Sequence, residues 1–398
     1  MKTRSDIVPV ILGSDQNAYG CARIFYDRYG IKPLLLCSKE LVFTSHSRIL
    51  KRIVIKDLDT DDVFRKSVRK TLINVTDSGK KALLIPCSDY YAELVAKNSE
   101  HLSSYVENPL LSYDVYNRIC DKEAFYETCE KHGIPYPETL VFIPTSICGS
   151  ESPFGYPVVI KPKNSNSYSY LHAEIKNRKK VYICQNKAEF TEVIKSFIDA
   201  SYNEKIIVQR YIEGGDGDML TVNAYCGTDG KVRLVGAGRP LLCYRDPQSL
   251  GNYAAIRTAS ARDVCDTACD FLEAIGYRGT ANFDLKRDPK TGKYLFFEIN
   301  PRAGRSSYFM KTAGYDLITE MICDCIEKEP FAKRKYAEKN GIWSDIPFFM
   351  LKKRVSSEEL QHVRPDSAVS LKYDFSPIRF AKLAYAMYRK DRLFEAYQ

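Results

Sequence analysis

Short apolar runs alternate with amphipathic stretches along the first third of the chain. Ile7–Leu12 (IVPVIL) is β-branched and almost wholly apolar, and it stops at Gly13-Ser14-Asp15 before residues 18–28 take up helical periodicity. That pattern predicts a buried strand, a tight turn and a helix. Leu34–Cys37, residues 53–55 and Lys81–Pro86 read as further strands, the last running into Cys87-Ser88-Asp89. Strands that alternate with helices imply a parallel sheet. Turns at the carboxyl ends of such strands line ligand crevices, which makes Asp89 a candidate site residue. The segment from Gly13 to Gly20 lacks a GxGxxG fingerprint, so nicotinamide binding is not read from it.

The pattern changes after residue 113. Residues 117–132 read as a helix closed by Gly133-Ile134-Pro135, with Lys122 near its start. In Val158-Val159-Ile160-Lys161-Pro162 a lysine follows three residues that belong in a buried strand, a costly position unless it meets an anion. Residues 163–180 are polar, basic and rich in Ser, Asn and Tyr before the next strand, 181–184. A loop of that length is expected to cover a ligand. A further strand, 206–213, exits into Gly214-Gly215-Asp216-Gly217-Asp218 ahead of Met219–Cys226. The end of such a strand can pair with the edge of a flat heterocycle, and a nearby carboxylate can accept ribose hydroxyls.

The richest constellation is the hairpin formed by residues 280–286, a turn at 288–292, and residues 294–302. It carries Asp284 on one strand and Glu298 and Asn300, two apart and on one face, on the other. Hard oxygen donors of this kind suit Mg2+ together with substrate phosphates. The acids are expected to be buried among Phe283, Phe297 and Ile299, where they would need a cation. Arg302 can grip a phosphoryl or acyl-phosphate oxygen by paired hydrogen bonds.

Lys122, Ile160-Lys161-Pro162, Gln209 to Ile212 with Asp216, Asn282-Phe283-Asp284 and Glu298-Ile299-Asn300-Pro301-Arg302 follow one another in this order. Together they resemble the ATP-grasp superfamily of carboxylate-amine ligases. Val8-Pro9-Val10-Ile11-Leu12-Gly13-Ser14-Asp15 and Cys87-Ser88-Asp89-Tyr90-Tyr91-Ala92-Glu93-Leu94 are similar to the bacterial D-aspartate ligase group. That group joins the β-carboxylate of D-aspartate to the lysine ε-amine of a peptidoglycan precursor. The resemblance implies an α/β (α+β) chain with the ATP-grasp fold. It implies a Rossmann-like domain over residues 1–113, a central lid subdomain over 114–213 with its phosphate loop at 163–180, and a C-terminal ATP-grasp subdomain over 214–330. Residues 331–398 are left as a basic helical extension.

The resemblance also assigns roles. Lys122 and Lys161 would hold the α- and β-phosphates of ATP, Gln209, Arg210, Tyr211 and Ile212 the adenine, and Asp216 the ribose. Asp284, Glu298 and Asn300 would bind two Mg2+ ions, with Mn2+ as a substitute. Arg302 would steady the transferred phosphoryl group and the acyl phosphate. Gln209 stands where many members carry Glu, and Asn282 where peptide-ligase relatives often carry Arg, so Arg257 and Arg239 are named as replacement oxyanion partners. Arg305, Ser306 and Ser307 lie directly after the metal hairpin, well placed to receive an amino-acid substrate. The expected partners are a small amino acid and an amine acceptor such as a UDP-linked peptidoglycan precursor. Ligation of another amino acid, and nucleotide binding without turnover, are the competing readings.

Composition narrows this picture. The 398 residues are 44% hydrophobic and 27% charged, an ordinary globular balance, and no apolar run is long enough to span a membrane. The thirteen cysteines are scattered, form no CxxC and sit mostly in apolar runs, as small buried residues of a reducing cytoplasm do. The net charge of +9 points to anionic partners, while the absence of clustered basic residues interleaved with aromatics argues against nucleic acid. Near the C-terminus Phe380, Leu383, Ala384, Met387 and Tyr388 share a helical face flanked by Arg379, Lys382, Arg389, Lys390 and Arg392. A core or dimer contact, or contact with a membrane surface, is the expectation for that stripe.

Overall fold

The computed structural model describes residues 4–163, 168–246, 249, 251–361 and 363–397. The chain divides into two compact units, one made of residues 1–116, 219–283 and 299–398, the other of residues 117–218 and 284–298. Residues 331–398 belong to the first unit rather than standing apart.

The first unit begins with a parallel sheet of β1 (Ile7–Leu12), β2 (Leu34–Cys37), β3 (Lys51–Val54) and β4 (Lys81–Pro86), in the order β3-β2-β1-β4. β1 is apolar on both faces because both are covered. Ile7 and Ile11 join Phe25, Leu35 and Leu83 on one side, and Val10 and Leu12 join Phe64, Leu72 and Leu84 on the other. Asp15 starts the helix Gln16–Tyr29 by accepting the Ala18 N–H at 2.9 Å, and Gly30, at φ 67°, stops it in the left-handed conformation.

The same unit holds a larger sheet. It contains β9 (Met219–Cys226), β10 (Val232–Cys243), β11 (Tyr253–Ala259), β12 (Gly279–Arg287), β13 (Tyr294–Asn300) and β15 (Ile342–Ser344), in the order β13-β12-β9-β10-β11-β15, with the short β14 (Lys335–Tyr336) beside β10. The outer part of the β12–β13 hairpin, residues 284–298, counts with the second unit. Tyr225, Leu234, Phe309 and Trp343 from this region share one core with β1 and its helix.

The second unit is built on an antiparallel sheet of β5 (Thr139–Phe142), β6 (Val158–Pro162), β7 (Tyr182–Cys184) and β8 (Ile206–Arg210), ordered β5-β8-β6-β7. The helix Lys187–Asp199 packs Phe190, Ile194 and Phe197 against Val158, Ile160 and Tyr182. Three expectations change here. The single helix over 117–132 is two, Tyr113–Cys120 and Lys122–Lys131, because Asp121 leaves the helical conformation to cap the second. The strand expected to reach residue 213 ends at Arg210. The polar loop contains a short helix, Tyr168–His172, while its residues 164–167 lie outside the described residues.

The C-terminal helix, Pro377–Tyr397, corrects the apolar stripe. Leu383 is buried but Phe380 and Tyr388 are exposed, and the covered face is Arg379, Leu383 and Phe394. The helix is rotated from the hydrophobic reading because its strongest anchor is ionic. Arg379 is fully buried and pairs with the equally buried Asp374 at 3.0 Å, lies over the Tyr19 ring at 4.5 Å, and donates to the Phe43 and Ser45 carbonyls at 2.8 and 3.1 Å. Asp374 accepts Tyr19 Oη at 2.7 Å and the Arg48 N–H at 2.5 Å as well. Removing one partner strands the other charge, which costs on the order of 3–5 kcal/mol. Arg379→Ala is expected to lower the urea unfolding midpoint accordingly, and a midpoint matching wild type would show that this pair does not anchor the helix.

Candidate active site

The second unit assembles a cationic corner. Asp121 accepts the Glu123 and Ala124 N–H groups at 3.0 and 3.1 Å, which fixes Lys122 as the first residue of its helix. The Lys122 ammonium donates to the Lys163 carbonyl at 3.4 Å, just past the end of β6. Lys161, the least buried side chain of β6, donates to Gln209 Oε1 at 3.1 Å and lies 5.3 Å from the Phe297 ring centre. Burial pulls its pKa down to about 8, against the attraction of Glu298 and with the repulsion of Lys122. An ammonium held at that cost is poised for an anion.

Gln209 is buried, and its Nε2 donates at 2.8 Å to both Tyr126 Oη and Thr139 Oγ1, while Tyr126 Oη donates to the Phe297 carbonyl at 3.1 Å. Its side chain thus orients Lys161. A glutamate here would neutralise that ammonium, whereas the amide orients it and leaves its charge available. Arg210 is tied to Glu138 at 2.6 Å and Asp288 at 2.9 Å, so its side chain serves the scaffold. Lys286, which pattern reasoning passed over, donates to the carbonyls of Ile212 and Gly214 at 2.9 Å each and lies 5.6 Å from the Tyr211 ring centre. It feels Asp218 and Asp216 and so pins the segment proposed for adenine and ribose. Its signal was its place on the strand face of Asp284, two residues away.

The metal candidates are differently exposed than expected. Asp284 is partly buried, Glu298 is exposed, and Asn300 is partly buried. Glu298 is therefore solvated, and the cost of burial does not argue for a cation. As donors, the Asp284 and Glu298 carboxylates of the second unit and the Asn300 amide carbonyl of the first are hard oxygens, the class that Mg2+ takes.

In the first unit Arg302 is held from two sides. Its Nε pairs with Asp89 Oδ1 at 2.8 Å, and its Nη2 donates to Asn300 Oδ1 at 3.4 Å. Asn300 Nδ2 donates to Asn282 Oδ1 at 3.2 Å, and Asn282 Nδ2 to Thr221 Oγ1 at 2.7 Å. Asn282, the departure noted in the sequence, thus orients the amide of Asn300. Asp89 opens the helix Asp89–Lys97 behind the Ser88 cap. Asn17 ties the same corner together, donating to the Cys87 carbonyl at 2.9 Å and the Ala303 carbonyl at 2.7 Å. A methyl group on Gly304 would stand 3.2 Å from Ser306 Oγ and 3.3 Å from Arg302 Nη1 and Asn282 Cγ, so the glycine lets these groups converge.

Ser306 is buried and Ser307 partly buried in the 3-10 turn Arg305–Tyr308, and Arg305 pairs with the buried Asp345 at 3.4 Å. Arg239 and Arg257 face each other across β10 and β11 and share Glu359: Arg239 Nη2 lies 2.7 Å from its carboxylate, and Arg257 also bonds its carbonyl. Two arginines thus share one glutamate.

Comparison with known proteins places this geometry in a family. Residues 254–323 match the family model described as carbamoyl-phosphate synthase L chain, ATP binding domain. The chain is 37% identical over 351 residues to a D-aspartate ligase of Enterococcus faecium, covering 86% of this chain and 83% of that protein. Among solved structures it resembles an L-amino acid ligase from Bacillus licheniformis, with TM-score 0.58, 16% identity, and 81% and 75% of the two chains covered. It also resembles an N5-carboxyaminoimidazole synthetase from Staphylococcus aureus complexed with ADP, with TM-score 0.59, 13% identity, and 84% and 80% covered. The expected ATP-grasp fold is thereby shown.

The depressed pKa of Lys161 has a measurable consequence. Folded, Lys161 loses its proton near pH 8, while the unfolded chain keeps it to 10.5. Between those values the unfolded state binds more protons, so the penalty present below pH 8 is relieved as pH rises. Wild type is expected to gain on the order of 2 kcal/mol relative to Lys161→Met between pH 7 and 10, read from urea denaturation. A difference that does not change with pH would contradict the depressed pKa.

Proposed function

The chain belongs to the ATP-grasp carboxylate-amine ligases, in the family of the D-aspartate ligase of Enterococcus faecium, and from that premise we propose that it joins D-aspartate to the lysine side-chain amine of a UDP-linked peptidoglycan precursor. The observation that carries this reading is the likeness to that ligase over 86% of the chain. The reaction would take place in the cytoplasm, where ATP and nucleotide-linked precursors occur together.

The chemistry has two steps. A carboxylate is a poor acylating agent at neutral pH, so an oxygen of the D-aspartate β-carboxylate first attacks the γ-phosphorus of ATP. The bond from that phosphorus to the ADP oxygen breaks, giving an acyl phosphate and ADP. The amine then attacks the acyl carbon, the bond from carbon to the phosphoryl oxygen breaks, and phosphate and the proton of the former amine depart as the amide forms.

In this reading Lys122 and Lys161 hold the nucleotide phosphates, with Gln209 keeping Lys161 in place. The backbone of residues 209–212, pinned by Lys286, meets the adenine, and Asp216 the ribose. Asp284, Glu298 and Asn300 would hold Mg2+, which offsets phosphate charge when bound; a second ion, and Mn2+ in its place, belong to the same proposal. Arg302 binds the transferred phosphoryl oxygen and then the oxyanion of the tetrahedral intermediate, where an aimed cation contributes most. Asp89 and Asn300 keep its guanidinium from swinging away. Arg305, with Ser306 and Ser307, receives the amino acid. Arg239 and Arg257, which share Glu359, remain the alternative oxyanion partners.

The test is ADP formation with ATP and Mg2+ across a panel of D- and L-amino acids, with and without a lysine-containing peptide. D-aspartate together with the peptide is expected to give the fastest turnover, and Lys161→Met to lose at least a hundredfold in kcat/KM. Turnover driven best by another amino acid would replace the substrate assignment. Silence with every acid, in a protein that still binds ATP, would overturn the ligase reading.

A further inference from the structure

The C-terminal helix brings one lysine into the corner that the ligase reading gives to the amino acid. Lys390 Nζ donates to Asp345 Oδ2 at 2.9 Å and to Gln16 Oε1 at 3.3 Å. Asp345 is fully buried and also faces Arg305 Nη1 at 3.4 Å and accepts Tyr244 Oη at 2.8 Å. The Lys390 ammonium lies 5.4 Å from the Tyr244 ring centre, and the Arg305 guanidinium 5.7 Å from the same ring. The helix is locked in this position from its own side, since Phe394 stacks on Tyr244 at 4.9 Å and Asp391 pairs with Arg354 at 2.7 Å.

Two cations thus meet one buried carboxylate, Asp345. Gln16 adds a second, independent sign. It is 3% exposed, and its Nε2 has no hydrogen-bond partner among the described residues. Lysine has only donors, so the Gln16 oxygen must face Lys390 and its NH2 must point elsewhere. A buried amide donor left unsatisfied is costly, and a ligand oxygen removes that cost. Gln16 follows Asp15, whose carboxyl pKa is raised by burial while Arg305 and Arg302 act against that rise. Asp15 therefore stands in the field of both the arginine assigned to the acyl phosphate and the arginine assigned to the amino acid.

We propose that Lys390, Arg305 and Gln16 form a subsite for the non-reacting α-carboxylate of the amino-acid substrate, so that the C-terminal helix is part of the specificity pocket. An α-carboxylate presents two acceptor oxygens and one negative charge, matching the two cations and the one free N–H donor gathered beside Asp345. The β-carboxylate then lies toward Arg302. The proposal rests on the ligase reading above and deepens it.

The test compares D-aspartate with its α-amide, which keeps the reacting β-carboxylate and lacks the α-charge. ADP formation by the full-length protein is measured for wild type, Lys390→Met, Lys390→Arg and Gln16→Leu, with the KM for ATP as the control for an intact nucleotide site. Wild type is expected to prefer D-aspartate at least a hundredfold in kcat/KM. Lys390→Met is expected to reduce that preference at least tenfold by raising the KM for D-aspartate, with the KM for ATP unchanged. Lys390→Arg restores most of the preference, and Gln16→Leu reduces it in the same direction. Should Lys390→Met fail to fold, as its melting temperature would reveal, Gln16→Leu decides the question by the same ratio. A preference within twofold of wild type in both Gln16→Leu and any folded Lys390→Met overturns the subsite while leaving the ligase standing. A wild type that forms no ADP with any amino acid removes the ligase reading and the subsite with it.

Discussion

Everything assigned to the acyl-transfer side of this protein depends on where one guanidinium points. Arg302 sits two residues past the end of β13 and is long enough to swing freely, yet Asp89 takes its Nε at 2.8 Å and Asn300 its Nη2 at 3.4 Å. Behind Asn300 the amide of Asn282 and the hydroxyl of Thr221 complete a relay that begins on β9. Asn17 joins the corner's backbone, bridging the carbonyls of Cys87 and Ala303. Five chain segments distant in sequence thus meet at one place, and orientation of this kind is what the acyl transfer proposed here would need.

The nucleotide side follows the same logic with an opposite electrostatic problem. The role proposed for Lys161 needs a positive charge in a place that disfavours it, since burial pulls its pKa down to about 8. A glutamate at position 209 would relieve that strain and cancel the charge. Glutamine relieves none of the electrostatics but fixes the direction of the ammonium, through bonds to Tyr126 and Thr139 that the buried strand β8 makes possible.

How far the sequence could be read depended on whether a feature was local. The strands β1, β2 and β4 and the β12–β13 hairpin were legible because period-two patterning and turn residues are written in adjacent positions. The break at Asp121 was not, since a capping aspartate inside a helical pattern resembles any polar surface residue until its φ and ψ are known. The C-terminal stripe misled because hydrophobicity marked Phe380 and Tyr388, while an ion pair between Arg379 and Asp374 set the helix's rotation. Asp345 and Gln16 carried no signal, and Lys390 stood out only as one of several basic residues beside the C-terminal stripe: the three lie far apart along the chain, and only packing brings them together.

The central claim is that the β-carboxylate of an amino acid is activated by phosphorylation before an amine displaces the phosphate. Oxygen bookkeeping tests it directly. With D-aspartate carrying 18O in its β-carboxylate, and with ATP, Mg2+ and a lysine-containing acceptor, mass spectrometry of the released phosphate should find one 18O atom per phosphate formed. Phosphate free of the label, alongside amide product, would contradict the acyl phosphate and with it the roles given to Arg302 and Lys161.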